Sequence, residues 1–207
     1  MTARSTDKLP LSGAVLAGGR ARRFGGFDKT RLKWQGESLL ERSVKLLSDC
    51  CQEVLISSNI LPGHPNARII ADRTPGQGPL EAIASCLAAA SHPWLLVIAG
   101  DLPFISSAAL HHLWEFRKGA QVVIPRTSDG LQPLAALYHR DCQPAIARQL
   151  AAGGRKIKDF FPHLQVYEID CSRHPEIYPP HTFLNINSPA DLKTARRLAA
   201  DQDTPSG

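Results

Sequence analysis

Residues Ser12 to Gly18 have the sequence SGAVLAG, a short apolar run that ends in glycine. A second apolar run, WLLVIAG, occupies Trp94 to Gly100. Near-continuous apolar runs of this length are typical of strands buried on both faces of a parallel sheet. Longer segments with apolar residues at helical spacing alternate with these runs, for example Leu39, Leu40, Val44 and Leu47. The pattern predicts an α/β fold, with a mostly parallel sheet between two layers of helices.

The same reasoning predicts the remaining elements of the chain. Further strands are expected in EVLISSN, ARIIAD, QVVIP, PLAALYH, VYEID and FLNIN. Further helices are expected in LEAIASCLAAA, in SAALHHLWEFRK, around Gln143 to Ala152 and from Ser188 onward. Ser188 is expected to cap the last helix and Pro189 to be its first residue. Residues 1–11 are predicted to be disordered, residues 12–200 to form a single domain and residues 201–207 to form a flexible tail.

Composition excludes several classes of protein. The 207 residues are 43% hydrophobic and 21% charged, which is ordinary for a globular chain and unlike a disordered or fibrous one. The longest apolar runs are too short to cross a bilayer, and no signal peptide is recognisable, so we expect a cytoplasmic protein without membrane contact. The five cysteines contain no CxxC pair, which predicts free thiols rather than zinc ligands.

The charge pattern favours a phosphorylated small molecule over nucleic acid as the partner. The net charge is +5. The basic residues are concentrated after the first strand instead of forming a long stripe with aromatic residues between them. They are Arg20, Arg22, Arg23, Lys29, Arg31 and Lys33.

The loop that follows the first predicted strand indicates a triphosphate site. From Leu16 to Leu32 the sequence is LAGGRARRFGGFDKTRL, with glycines at Gly18 and Gly19 and a lysine at Lys29. Glycines allow backbone N–H groups to approach a ligand closely, and the cations would screen phosphate charge. The pattern is neither GxxxxGKS nor GxGxxG, so a P-loop or a dinucleotide-binding loop is not indicated.

A single acid, Asp101, follows the second buried run in IAGDLPFIS. A carboxylate at the end of a parallel strand lies at the edge of the sheet where ligands bind. Mg²⁺ prefers one or two carboxylates together with substrate phosphates. Asp101 is therefore a candidate magnesium ligand, although aspartate is also a common turn residue at such a position.

Together these motifs resemble the molybdenum cofactor guanylyltransferases, the MobA family. LAGGRARRFGGFDK is similar to the family signature LAGGxSxRMGxDK, with Phe24 in place of methionine and an additional glycine at Gly26. The later motifs follow in family order: D…GPL from Asp72, GDLP, and NIN before a proline. The resemblance covers nearly the whole chain and implies the nucleotide-diphosphosugar transferase fold, a Rossmann-like three-layer domain.

The resemblance also implies roles for individual residues. The residues expected to be catalytic are Arg23, Lys29 and Asp101, with Asp101 as the magnesium ligand. The residues expected to bind the nucleotide are Leu16, Ala17, Gly18, Gly19, Lys29, Ser57, Asn59, Asp72, Gly78 and Asp101. Asn185 and Asn187 are expected to face one side of a short strand and to reach the second substrate or the water ligands of the metal.

The sequence departs from the family pattern at three places. Ser57 stands where the family has asparagine, Glu81 follows the GPL turn where alanine is usual, and Gln132 stands where relatives have histidine. The first two departures are expected to affect selectivity for the nucleotide base, and the third is expected to affect contacts with the pterin.

The implied activity is transfer of GMP from GTP, with Mg²⁺, to the molybdenum cofactor carried on molybdopterin. Pyrophosphate would leave, and a guanine dinucleotide cofactor would be the product. Molybdoenzyme-maturation proteins would be further partners. Two alternatives remain open: a nucleotidyltransferase that uses CTP or a sugar-1-phosphate acceptor, and a nucleotide-binding protein without catalysis. The presence of Asp101 argues against the second.

Overall fold

The computed structural model of the chain describes residues 8–17, 33–61 and 63–202. In this part of the chain the strands are β1 (Leu9–Leu16), β2 (Lys33–Trp34), β3 (Glu37–Ser38), β4 (Cys51–Ser57), β5 (Arg68–Ile70), β6 (Trp94–Ala99), β7 (Val122–Thr127), β8 (Gly130–Leu131), β9 (Ala135–His139) and β10 (Val166–Asp170). The α-helices are α1 (Leu39–Cys50), α2 (Pro79–Ala89), α3 (Ser107–Glu115), α4 (Gln143–Ala151) and α5 (Pro189–Gln202). Short 3-10 helices occupy Arg140–Cys142, Ile157–His163 and Cys171–Arg173.

One large sheet organises the molecule. Its strand order is β10-β7-β9-β6-β1-β4-β5, and β8 pairs with β7. β1 is parallel to both β4 and β6, β4 is parallel to β5, and β10 is parallel to β7. β9 runs antiparallel to β6 and β7, and the short β8 runs antiparallel to β7. The prediction of a mostly parallel sheet is confirmed.

β6 shows how one apolar run supplies two cores. All six of its residues are buried. Leu96 and Ile98 belong to the apolar cluster that contains side chains of α1 and α3, whereas Leu95 and Val97 belong to the cluster with α2 and α4. Successive residues of a strand point to opposite faces of the sheet, and each fully buried leucine, isoleucine or valine contributes about 1.5–3 kcal/mol. The three predicted layers, helices on both faces of the sheet, are therefore present.

A third apolar cluster attaches the C-terminal helix to the rest of the molecule. It contains Trp34, Leu39, Ile186 and Ala195. The ring of Phe104 lies edge-on to that of Trp34, with the ring centroids 5.3 Å apart. Because Phe104 lies in the loop after β6, this cluster brings the C-terminal region to the carboxyl end of a central strand.

Three local features differ from the sequence predictions. Residues 9–11, predicted to be disordered, belong to β1, and Leu11 is fully buried. The expected strand at Phe183–Asn187 is wrong: Phe183 lies in a turn and residues 184–187 have no regular secondary structure. The β2–β3 hairpin was not predicted. Its two turn residues, Gln35 and Gly36, have φ of 49° and 88°. Two consecutive positive φ angles give the type I′ geometry that joins tight hairpins.

The cysteines are free and buried, as the sequence predicts. Burial raises the pKa of the Cys50 and Cys171 thiols to about 11, and it raises that of Cys86 and Cys142 to about 12. They therefore stay protonated at neutral pH and act as small apolar side chains. Among the helices that the structure describes, none is both long and apolar enough to span a bilayer.

Candidate active site

The carboxyl ends of β1, β4, β5 and β6 lie side by side at one edge of the sheet. Leu16, the last residue of β1, is in register with Ser57 at the end of β4 and with Ala99 at the end of β6. Ile70, at the end of β5, is in register with Ser57. In open α/β sheets, ligands bind just beyond this edge. The loops after these four strands therefore form the candidate site.

Backbone hydrogen bonds continue one residue beyond the strands. The N–H of Ala17 donates to the carbonyl oxygen of Ser57 at 3.1 Å, and the N–H of Gly100 donates to that of Leu16 at 3.2 Å. A Cβ at Gly100 would lie 3.3 Å from Cγ1 of Val15, which is a tight contact, and 3.4 Å from the same Leu16 oxygen, so glycine suits this close approach. Leu16 and Ala17, two predicted nucleotide-binding residues, are thereby held next to the loop that carries Asp101.

Asp101 is half-buried in the loop between β6 and α3. Its neighbours Leu102 and Ile105 are only 6% and 3% exposed and anchor the loop in the core. Arg42 of α1 donates through Nε to the carbonyl oxygen of Pro103 at 2.8 Å. No sequence pattern indicates this role of Arg42, because it depends on a contact between distant segments. The loop is thus fixed, and Asp101 lies at the ligand-facing edge of the sheet.

The C-terminal NIN motif docks directly on Asp101. The N–H of Ile186 donates to the carbonyl oxygen of Asp101 at 3.0 Å, and the Ile186 side chain is fully buried. Asn185 and Asn187, on either side of it, are exposed. The N–H of Asn187 also donates to Oδ2 of Asp191 in α5 at 2.8 Å. The structure therefore places both asparagines beside the predicted magnesium ligand, although through an irregular segment and not through a strand.

Two of the predicted nucleotide-binding residues, Asn59 and Asp72, bind each other through two hydrogen bonds. Nδ2 of Asn59 donates to Oδ2 of Asp72, and the N–H of Asp72 donates to Oδ1 of Asn59, both at 2.8 Å. Oδ1 of Asp72 is buried and has no hydrogen-bond partner among the described residues. A buried carboxylate oxygen without a partner is costly, so it is a favourable place for a ligand donor. Ser57, in contrast, is only 1% exposed and lies beneath this surface.

Gly78 begins α2 at the same edge. It precedes Pro79, the first helical residue, with φ of 84° and ψ of −167°. No atom lies within 4 Å of the position that a Cβ would take, so the backbone angle, and not lack of space, requires glycine. α2 begins directly after this glycine, at the end of the segment that leads from Asp72. The N-terminus of a helix carries partial positive charge.

The side chains of Gln132 and Glu81, which depart from the family pattern, form hydrogen bonds within the protein. Gln132 donates through Nε2 to Oγ1 of Thr127 at 3.0 Å and closes the turn between β7 and β8. Glu81 is 5% exposed, and its Oε1 accepts a hydrogen bond from the N–H of Thr74 at 3.3 Å. Glu81 therefore shapes the loop after β5 at the candidate site, whereas Gln132 shapes the turn between β7 and β8.

Four residues with predicted roles lie outside the described residues. They are Gly18, Gly19, Arg23 and Lys29. Their roles remain predictions from the sequence. The described chain reaches Ala17 on one side of this segment and resumes at Lys33 on the other.

The donor set at Asp101 fits a magnesium ion that binds together with a nucleotide. The described residues contain no group of three or more His, Cys, Asp or Glu side chains that could hold a metal ion. Mg²⁺ commonly takes one or two protein carboxylates and completes its shell with phosphate oxygens and water. Asp101 would be the protein ligand in such an arrangement.

The domain has three layers, with a glycine-rich sequence after the first strand of its sheet and a carboxylate after a central strand. These features define a nucleotidyltransferase of the α/β class. Solved structures agree with this class. Molybdopterin-guanine dinucleotide biosynthesis protein A from Archaeoglobus fulgidus is 27% identical, with a TM-score of 0.79 over 92% of this chain and 99% of that one. The 2-C-methyl-D-erythritol 4-phosphate cytidylyltransferase from Thermus thermophilus shares the fold, with a TM-score of 0.69 at 19% identity over 93% of this chain and all of that one.

Sequence comparison identifies the family. The family model described as MobA-like NTP transferase domain matches residues 13–166. A probable molybdenum cofactor guanylyltransferase from Chloroflexus aggregans is 41% identical over 89% of this chain and 93% of its own length. Another from Pelotomaculum thermopropionicum is 33% identical over 95% of this chain and 97% of its own length. The chain belongs to the MobA-like NTP transferase family.

Proposed function

We propose that the chain is a molybdenum cofactor guanylyltransferase, which transfers GMP from GTP to the terminal phosphate of molybdopterin in the molybdenum cofactor. The hydrogen bond between Ile186 and Asp101 is the observation that supports this most strongly. It joins the loop expected to act on the triphosphate to the segment expected to act on the acceptor. A site that transfers a group between two substrates needs this proximity.

The nucleotide would lie across the ends of β1, β4 and β5. Asn59 and Asp72 are at the ends of β4 and β5, and Oδ1 of Asp72 has no described partner. Guanine carries an N1–H and an exocyclic amino group, and the ribose carries hydroxyl donors. A carboxylate oxygen can accept from either group. Asp72 therefore suits the nucleoside, while the glycine-rich sequence that follows Ala17 suits the phosphates.

The chemistry needs no general base. A terminal phosphate of the acceptor is already anionic at neutral pH, so its oxygen can attack the α-phosphorus of GTP directly. The bond between this phosphorus and the oxygen that bridges to the β-phosphate then breaks, and pyrophosphate leaves with its electron pair. The task of the protein is to position both substrates and to neutralise negative charge.

Individual residues divide this task. Backbone N–H groups of Gly18 and Gly19 would donate to phosphate oxygens, and Arg23 and Lys29 would screen their charge. Asp101 would hold Mg²⁺, which would supply positive charge at the phosphate oxygens when bound. The magnesium requirement and a cytoplasmic location are part of this proposal and rest on the sequence.

The test is a comparison of the four ribonucleoside triphosphates. The full chain is incubated with Mg²⁺, the molybdopterin acceptor and one triphosphate at a time, and pyrophosphate release is measured. We expect GTP to react much faster than ATP, because adenine reverses the donor and acceptor pattern and leaves buried groups of the site unpaired. Equal rates with GTP and CTP or ATP would contradict a guanylyltransferase and favour a related nucleotidyltransferase.

A further inference from the structure

The segment that follows Asp72 is held by two side chains of α2. The N–H of Arg73 donates to Oγ of Ser85 at 3.2 Å, and the N–H of Thr74 donates to Oε1 of Glu81 at 3.3 Å. Oγ of Ser85 in turn donates to the same Glu81 oxygen at 3.3 Å. The two residues after Asp72 are thus bound through their backbones to one helix.

This network is buried. Glu81 is 5% exposed and Ser85 is 4% exposed. A buried carboxylate is unfavourable unless hydrogen bonds compensate for lost hydration, and an apolar residue in its place is often neutral for stability or better. Glu81 also stands at a position where the family pattern has alanine. Packing alone therefore does not account for a glutamate at this position.

Asp72 is consequently fixed from two directions. Asn59 binds its Oδ2 and its backbone N–H, while α2 binds the next two backbone N–H groups. Its remaining oxygen, Oδ1, has no partner among the described residues. This combination leaves one buried acceptor of Asp72 without a described partner and restricts the orientation of the side chain.

We propose that Glu81, together with Ser85, is a positioning residue for nucleotide binding, which acts by holding Asp72 in the orientation that contacts the nucleoside of GTP. The inference rests on the proposed function, because it requires that Asp72 contacts GTP. Both side chains are buried and hold the backbone that follows Asp72, so we expect the network to govern affinity for GTP more than the rate of the chemical step.

A double-mutant cycle tests this. The affinity of the full chain for GTP is measured by calorimetry for the unaltered protein, Glu81→Ala, Asp72→Ala and the double variant. We expect Glu81→Ala to weaken binding about tenfold when Asp72 is present, and less than about twofold when Asp72 is absent. In turnover, Glu81→Ala should raise KM for GTP while kcat stays within about twofold.

Conservative and matched variants separate positioning from folding. Glu81→Gln keeps an acceptor oxygen for Thr74 and should bind GTP within about threefold of the unaltered protein. Ile83→Val shortens a fully buried side chain of the same helix and lowers stability by about 0.5–1.5 kcal/mol. It should leave GTP affinity unchanged. If Glu81→Ala does not fold, Ser85→Ala takes its place in the cycle.

The outcomes are distinct. An equal loss of affinity with and without Asp72, no loss at all, or a loss in Ile83→Val as large as that in Glu81→Ala would overturn the positioning role and leave the proposed function intact. Failure of the unaltered protein to bind GTP would overturn the proposed function itself, and the positioning role with it.

Discussion

The carbonyl oxygen of Asp101 accepts a hydrogen bond from the N–H of Ile186 at 3.0 Å, although β7 to β10 lie between the two residues in the chain. The buried Ile186 side chain secures the contact in the cluster with Trp34. Asn185 and Asn187 are exposed on either side of this anchor. The apolar residue thus provides attachment, and the role of the two asparagines in binding the second substrate remains a prediction.

Asp101→Asn should abolish turnover while GTP affinity stays within about tenfold, or 1.4 kcal/mol. The amide keeps the size of the side chain but removes the negative charge that attracts Mg²⁺. Pyrophosphate release and GTP binding are measured on the same preparation. Asp141→Asn is the matched control, because Asp141 is an exposed acid that follows β9 at the opposite edge of the sheet. Near-normal turnover of Asp101→Asn at ordinary Mg²⁺ concentration would refute its assignment as the metal ligand.

Asn185→Ala should weaken use of the acceptor and not of the nucleotide. A hydrogen bond to a charged group is worth about 1.5–3 kcal/mol, so KM for the molybdopterin acceptor should rise more than about tenfold. GTP affinity should not change. Asn66→Ala, at an exposed position in the loop before β5, serves as the control. A parallel loss of GTP affinity would show that Asn185 acts on the nucleotide side of the site.

Lys29→Ala tests the segment that lies outside the described residues. A long ammonium side chain that follows a glycine-rich sequence can reach phosphate oxygens, and such a charge-assisted bond is worth about 1.5–3 kcal/mol. We expect GTP affinity to fall more than about tenfold and turnover to fall with it, while affinity for the nucleoside guanosine stays nearly constant. Lys118→Ala, an exposed lysine after α3, is the control. Unchanged GTP affinity in Lys29→Ala would assign this lysine to the solvated surface.

The sequence predicted the parts of the fold that local pattern determines. β1 and β6 follow from apolar runs, and Asp101 follows from its place directly after β6. The strand expected at Phe183–Asn187 was wrong, because that segment is held by two long-range contacts: the backbone bond to Asp101 and the burial of Ile186. No local pattern encodes either of them.

Side-chain burial is the second feature that the sequence did not predict. Ser57 and Asn59 are two positions apart at the end of β4, and the sequence predicted nucleotide contact for both. Ser57 is 1% exposed, whereas Asn59 is exposed and bound to Asp72. The difference in exposure arises because β4 ends at Ser57, whereas Asn59 lies in the loop beyond the strand. The sequence also placed the start of the ordered chain too late, because Leu9, Pro10 and Leu11 belong to β1. The division into a single domain and a C-terminal tail from residue 201 remains a prediction.

Gly13→Ala should destabilise the sheet without altering the site directly. A Cβ on Gly13 would lie 2.9 Å from Sγ of Cys51 in β4 and 3.1 Å from the methyl groups of Leu47 in α1, so these side chains would have to shift. Overpacking of this kind costs about 1–3 kcal/mol. Denaturant unfolding measures the loss, with Gly63→Ala as the control because nothing lies within 4 Å of its Cβ position. Equal stability of the two variants would mean that the packing around Gly13 accommodates an added methyl group without loss of stability.

Glu53 should make stability depend on acid pH. It lies near the start of β4, at the end of the sheet opposite the site. Its carboxylate accepts hydrogen bonds from Oγ of Ser12, from the N–H and Oγ of Ser91, and from Nη2 of Arg68. Burial by itself would raise the pKa of Glu53, but these hydrogen bonds and the Arg68 charge outweigh it and lower the pKa below its ordinary value.

The sign of the effect follows from linkage. A carboxyl group whose pKa is lower in the folded state contributes stability that is fully present above its unfolded pKa, about 4.3, and is lost as the pH falls through the folded pKa. At about pH 7, Glu53→Gln should therefore be less stable than the unaltered protein by about 1.5–3 kcal/mol, since hydrogen bonds to a charged acceptor are replaced by weaker ones. Below about pH 4 that difference should shrink, because the unaltered carboxylate itself becomes protonated.

Urea unfolding of both proteins across this pH range measures the difference. Glu168→Gln is the control, since its carboxylate pairs with Arg126 on the surface, where an ion pair contributes only about 0–1 kcal/mol. A difference between Glu53→Gln and the unaltered protein that stays constant down to the acid limit would show that the hydrogen bonds, and not the charge that they stabilise, account for the contribution of Glu53.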